Sequence, residues 1–195
     1  MSRRPSKRDI KQAAWHESGH AVFNLAVIDP QTHFHNGHAS FKGIWVRFSA
    51  EETSRVDMAQ LDLSGVPFLG TDPQAFGAVL KNDGGIWCND FDEITLYMAG
   101  IAGHRIFNGR KRVGKIEFID WLQGGAHDIR MAAKIAKSNG RGWDVDTVLN
   151  RAVERAWDIL KQHSVAHRKI AELLEKDGYV CYDRAKEIFD AEVRR

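Results

Sequence analysis

Ala14-Trp15-His16-Glu17-Ser18-Gly19-His20-Ala21-Val22 is the stretch on which the reading of this chain turns. It contains an H-E-x-x-H pattern. Residues four apart share one face of a helix, so His16 and His20 can aim two imidazole nitrogens at a single metal ion. Glu17 lies beside the first of them and can reach metal-bound water as a general base. The chain has 9 His and 10 Glu in 195 residues, so chance supplies about 0.02 such matches. The competing reading is a helix with two surface histidines and a glutamate. Local context favours the metal. Ser6 and Asp9 form a capping-box pattern just after Pro5. Ile10, Ala13, Ala14, Ala21, Val22, Leu25 and Ile28 recur at helical spacing, and Asp29-Pro30 is expected to close the segment. The motif therefore falls mid-helix. Gly19 costs about 1 kcal/mol against Ala there, which predicts a second element packed closely on the motif helix.

A chain of 195 residues is expected to form one domain, 1–195, with residues 1–6 as a flexible tail. Its 43% hydrophobic and 28% charged residues are ordinary for a globular protein. The net charge of +2 makes no case for nucleic acid as a partner or for a membrane anchor. The basic run Arg3-Arg4-Pro5-Ser6-Lys7-Arg8 reads as a solvated tail. No stretch approaches the roughly 20 apolar residues that span a bilayer. No apolar core follows the basic start, as a signal peptide would require. Cys88 and Cys181 lack C-x-x-C spacing and are expected to be reduced thiols in a cytoplasmic protein.

The rest of the chain reads as mainly α with one small β element. Gln31 to Gly37 is polar. Ala39-Ser40-Phe41 and Ile44-Trp45-Val46-Arg47-Phe48 read as two short strands around Lys42-Gly43. Glu51 to Leu63 is expected to be helical and Gly65 to Gly70 a turn. Asp72-Pro73 is expected to start a helix running to about Lys81. Asn82 to Gly85 is a loop. Phe91 to Phe107 is strongly helical and Asn108-Gly109 stops it. Gly124-Gly125 opens a helix to about Lys137, ended by Asn139-Gly140. Three amphipathic helices follow over 144–162, 165–176 and 183–193.

A catalytic zinc takes three protein ligands and keeps one position open. Asp128, in Gly124-Gly125-Ala126-His127-Asp128-Ile129-Arg130, is the candidate third ligand. A carboxylate in the first turn of a helix also suits the macrodipole, and spacing alone does not choose between the two roles. Trp15-His16-Glu17-Ser18-Gly19-His20-Ala21-Val22 resembles the zinc motif H-E-A-G-H-A of the peptidase domain of FtsH-type AAA zinc proteases. In the same order along the chain, Met98 to Gly109 resembles that family's L-G-G-R-A-A-E-E-x-x-F-G segment. Gly125-Ala126-His127-Asp128-Ile129 resembles its G-A-S-N-D-L, and 149–163 with 170–176 resemble its C-terminal helices. The resemblance implies His16, His20 and Asp128 as Zn²⁺ ligands, Glu17 as the base, and a helical zinc-peptidase fold that cleaves polypeptides. It also suggests that the β segment near Ala39 to Phe48 lies beside the cleft and pairs with an extended substrate.

The chain departs from that family at two points. No segment resembles the AAA ATPase domain or the membrane anchor, so activity is expected to be ATP-independent and confined to unfolded or short polypeptides, with a homo-oligomer or a separate ATPase as possible partners. The family's acidic pair is replaced by His104-Arg105, which would alter any support those carboxylates give the ligands. A non-enzymatic zinc module with the same fold is the rival reading. Two further motifs are set aside. Gly109 to Lys115 fits G-x-x-x-x-G-K, but Ile116 stands where a Mg²⁺-binding hydroxyl would be, so a basic loop is the better reading. His33, His35 and His38 form H-x-H-x-x-H in a polar stretch and read as solvated histidines.

Overall fold

The computed structural model describes residues 6–37, 39–47, 76–81, 88–120, 125–139, 142 and 144–194. Helix α1 (Lys7–Phe23) starts at the expected capping box. The Ser6 side chain accepts from the Asp9 amide at 3.2 Å, and the Ser6 amide donates to the Asp9 carboxylate at 2.7 Å. Asp29-Pro30 does not end the helical path, contrary to expectation. A π turn, Asn24–Ile28, leads straight into α2 (Asp29–Asn36). Proline lacks an N–H that the first turn of a helix does not need, so it sits there at little cost. Gly37, with φ 71°, closes α2 in the left-handed region that glycine adopts freely. Most of the stretch expected to be a polar connection is therefore helix.

Strand β1 (Phe41–Arg47) is one strand rather than two. Phe41 faces Lys81 while Gly43 faces Leu80 on β2 (Phe76–Lys81). Lys42 is thus the extra residue of a bulge, which bends the strand without breaking it. β2 occupies most of the segment expected to be a helix ending at Lys81. A short apolar run is ambiguous between the two periods, and the antiparallel ladder to β1 decides it. β3 (Tyr179–Cys181), not anticipated from the sequence, pairs antiparallel with Gly43–Trp45 of β1, giving the order β2-β1-β3. The central position of β1 corrects one expectation. Its two edges are used by β2 and β3, so this strand does not present an open edge to a substrate. The expectations for 51–63, 65–70 and 82–85 lie outside the described residues.

Apart from the single turn Phe118–Asp120, not anticipated from the sequence, the remaining helices fall close to their expected limits. They are α3 (Asp90–Phe107), the single turn α4 (Phe118–Asp120), α5 (Ala126–Ser138), α6 (Val145–Gln162), α7 (Ser164–Asp177) and α8 (Tyr182–Val193). Asn89 and Asp144 cap α3 and α6, their side chains accepting from the Asp92 and Thr147 amides at 2.9 Å each. Mainly helical architecture with one small sheet is thus what the chain adopts. Among the described residues no helix is long and apolar enough to cross a membrane. Cys88 and Cys181 are not joined.

Helix α1 is the hub, packed on α3, α7 and the sheet, while α3 also packs on α5 and α6. The contact between α1 and α3 is unusually close. A Cβ at Gly19 would run into the Ala99 carbonyl, and one at Gly103 into the Trp15 carbonyl. The close neighbour predicted from Gly19 is α3. Ala14, Ala21, Val22, Phe23, Ile94, Met98 and Ala102 fill the surrounding core, with Trp45 and Trp157 also buried.

Candidate metal centre

Three side chains from two helices meet on the buried side of α1. His16 Nε2 lies 3.2 Å from His20 Nε2 and 2.9 Å from Asp128 Oδ2, and His20 Nε2 lies 3.4 Å from the same oxygen. A tetrahedral zinc with bonds of roughly 2.0–2.1 Å holds its donors about 3.3 Å apart. The triangle matches that edge length to within a few tenths of an ångström. Two imidazoles and a carboxylate are also a donor set that zinc favours. Among the described residues this is the one group of three His, Cys, Asp or Glu side chains whose donor atoms could share an ion.

Each donor is oriented by its surroundings. The backbone of α1 stacks His16 and His20 one turn apart, with ring centroids 4.9 Å apart. His20 Nδ1 donates to the Leu96 carbonyl of α3 at 2.7 Å. That bond fixes the ring so that Nε2 faces the cluster, the nitrogen a metal would take on displacing its proton. Gly100 of α3 makes room for both rings. A Cβ there would stand 2.5 Å from His20 Nε2 and 2.6 Å from His16 Cε1. Asp128 sits in the first turn of α5, yet its carboxylate is buried and turned to the imidazoles rather than spent on capping.

The electrostatics fit a cluster built to hold positive charge. Burial alone would raise the Asp128 carboxyl, but His20 and His16 outweigh it and hold it well below the ordinary range. Burial alone would lower His20. The Asp128 carboxylate, then Glu17 and the Leu96 carbonyl, reverse this and take it to about 9. Glu17 behaves in the opposite way to Asp128. Burial raises its carboxyl, and the charges of His16 and His20 only partly offset the rise. It is 7% exposed, with no hydrogen bond to a described residue. A buried carboxylate left unpaired and raised is poised to take a proton.

The structure brings together all four residues singled out in the sequence. Sequence reasoning missed Gly100, although the signal was available. Gly100 and Gly103 interrupt a strongly helical run at a cost of about 1 kcal/mol each, the same feature that made Gly19 informative.

The pair at 104–105 does not face the cluster as two acids would. His104 is buried, and its Nε2 accepts from Asn108 Nδ2 at 2.7 Å. Burial, and then the charge of His16, lower it to about 4, so it is neutral. Arg105 is 1% exposed. Its guanidinium donates to Asp120 at 2.6 and 3.1 Å and to the carbonyls of Val113, Gly114 and Lys115. A buried cation with its donors satisfied thus clips the loop that leads into α5. The same bonds dispose of the phosphate-loop reading of Gly109 to Lys115. That backbone turns carbonyls, not amides, to a cation. His33 and His35 are exposed on α2 and belong to no metal-ligating group among the described residues, while His38 lies outside them.

No protein-family model matches the chain, and no curated protein matches it.

Proposed function

We propose that the protein is a zinc-dependent metallopeptidase with a fold like the FtsH-type peptidase domain, acting on unfolded or short polypeptides. The observation that carries this reading is the His16–His20–Asp128 triangle with an unpaired, raised Glu17 next to it. Bound zinc would polarise a scissile carbonyl and acidify the water that attacks it. His16, His20 and Asp128 would hold the ion, and three protein ligands are the number a catalytic zinc takes when a position is kept for water. Glu17 accepts the proton of the attacking water and delivers it to the leaving amine. The Leu96 carbonyl keeps His20 in the ligating tautomer, and Gly100 keeps the ligand pocket clear. On this reading cleavage is ATP-independent and cytoplasmic, or serves a separate unfoldase.

A non-enzymatic zinc module is the alternative. The buried Glu17 carboxylate, unpaired beside the three donors, favours the enzyme, since a purely structural site closes its coordination and needs no adjacent base. The test is metal content and peptide turnover in three proteins. Wild type should hold one zinc and cleave denatured casein. Glu17→Gln should hold zinc and lose at least about 10²-fold in turnover. His20→Ala should lose the zinc. Full zinc retention by His20→Ala would refute the site. Zinc binding without turnover by wild type would favour the module.

A further inference from the structure

We propose that the loop from Arg110 to Ile119, together with the start of α1, is a docking surface for an anionic phospholipid bilayer. Two basic runs a hundred residues apart in sequence meet here. Arg8 donates to the Asn108 side chain at 3.4 Å, which sets the first turn of α1 beside the loop that follows α3. Lys7, Arg8, Lys111, Arg112 and Lys115 are exposed or nearly so. None of the five pairs with a carboxylate of a described residue. Arg110 does pair, with Glu117 at 3.0 Å. For a protein of net charge +2, five unpaired cations at one end form a concentrated patch.

The patch also carries apolar side chains that water does not favour. Phe118 is 75% exposed and Ile119 38%. They stand three and four residues after Lys115, in the single turn α4, beyond the Glu117 that Arg110 neutralises. Singly exposed apolar residues are common; a neighbouring pair amid unpaired cations is the composition of surfaces that bind at a lipid headgroup boundary. A merely solvated loop has no need of a fixed backbone. This one is held by the buried Arg105 guanidinium, which gathers the carbonyls of 113–115 and the Asp120 carboxylate. Asp120 also accepts from the Glu117 amide at 2.7 Å, and Asn150 accepts from the Ile116 amide at 2.9 Å. The structure therefore presents Phe118 and Ile119 on a rigid base. The aliphatic neighbour argues for hydrocarbon over a nucleic acid, where stacking on aromatic faces supplies the apolar contact.

The surface is independent of the metal centre, so failure of either reading leaves the other intact. The test is co-sedimentation of the whole chain with vesicles of phosphatidylglycerol in phosphatidylcholine, against phosphatidylcholine alone. Binding is expected only to the anionic vesicles and should fade in high salt. Lys111→Glu with Arg112→Glu should weaken it by at least about 25-fold, from roughly fivefold for each cation lost. Phe118→Ala should weaken it about tenfold and Phe118→Trp restore it. Circular dichroism checks that these surface variants keep the fold. No binding to anionic vesicles overturns the proposal, as does binding that Phe118→Ala leaves unchanged. Retention of a single-stranded oligonucleotide but not of the vesicles overturns it in favour of nucleic acid.

Discussion

Gly100→Ala is the sharpest probe of the metal centre, because it touches neither a ligand nor the base. The new Cβ would stand 2.5 Å from His20 Nε2 and 2.6 Å from His16 Cε1, against an ordinary contact of 3.4 Å or more. One or both rings must therefore retreat by about 0.9 Å, whereas ligand distances in a working site hold to roughly 0.2 Å. His20 has little freedom to do so, being tied on its other nitrogen to the Leu96 carbonyl at 2.7 Å. Loss of a supporting contact alone typically costs 10–100-fold in metal affinity, and displacing the donors themselves should cost at least about 100-fold. The helix responds in the opposite sense, since alanine favours a helix interior by roughly 1 kcal/mol over glycine. The metal-free variant should therefore melt near wild type while its zinc affinity collapses. Competition with a chromophoric chelator gives the affinity, and a thermal melt in chelator gives the stability. Wild-type affinity in Gly100→Ala would mean that the rings do not converge opposite Gly100, and the zinc reading would fall with it.

The pH dependence of stability should carry the mark of His167, which is buried and donates to the Trp15 carbonyl at 3.0 Å. Burial lowers it from 6.5 to about 4. The folded state thus binds fewer protons than the unfolded chain between those values, and stability is lost as pH falls through that window, by about 3 kcal/mol in all. His167→Gln, which keeps a donor, should reduce the fall of denaturant-derived stability of the metal-free protein over pH 6.5 to 4 and leave the share due to His104; an unchanged slope would show that His167 does not titrate there. Arg105→Met should destabilise the fold by about 3–5 kcal/mol by stranding the buried Asp120, and Arg105→Met with Asp120→Leu should recover much of it. Equal urea midpoints for the single variant and wild type would contradict the clip. Purified chain should degrade reduced, denatured protein equally with and without ATP and leave a folded one intact. ATP-stimulated loss of the folded form would refute this.

What could be read ahead of the structure follows the reach of each signal. The motif helix was legible because its signals are local: a capping box at Ser6 and Asp9, apolar spacing from Ile10 to Ile28, and ligands one turn apart. The long helices from Asp90 onward were legible for the same reason, with Asn108-Gly109, Asn139-Gly140 and Asp144 marking their ends. Segments whose state depends on a distant partner were misread. Phe76 to Lys81 is a strand because β1 offers it a ladder, and Tyr179 to Cys181 is too short to declare itself. Asp29-Pro30 looked like a stop because proline breaks helix interiors; that signal cannot separate the end of one helix from the first turn of the next. Asp128 stood open between ligand and helix stabiliser on spacing alone. Only a fold that brings α5 against α1 through α3 sets its oxygen 2.9 Å from His16.

His104-Arg105 is the instructive departure. Two acids there would have suggested carboxylates steadying the ligands from behind. The observed pair does different work, and each half has a physical reason. A neutral His104 can lie buried near His16 without adding its own positive charge to the His16–His20–Asp128 cluster. A charge at Arg105 would be costly in the same helix unless fully partnered, and Asp120 with three carbonyls meets that condition. The partners come from the loop between α3 and α5. Asp120 in turn abuts Gly125, where an added Cβ would lie 2.7 Å from the Asp120 carbonyl, three residues before the Asp128 ligand. Substitution of the acidic pair is compatible with an intact cluster: the arginine ties the approach to Asp128 into the core. Gly125→Ala separates these views without touching the ion pair. It should push the start of α5 away from Asp120 and weaken zinc binding about tenfold or more, while the Arg105–Asp120 pair and the bulk of the stability remain. Undiminished zinc affinity in Gly125→Ala would show that the clip secures the loop alone and has no hold on Asp128.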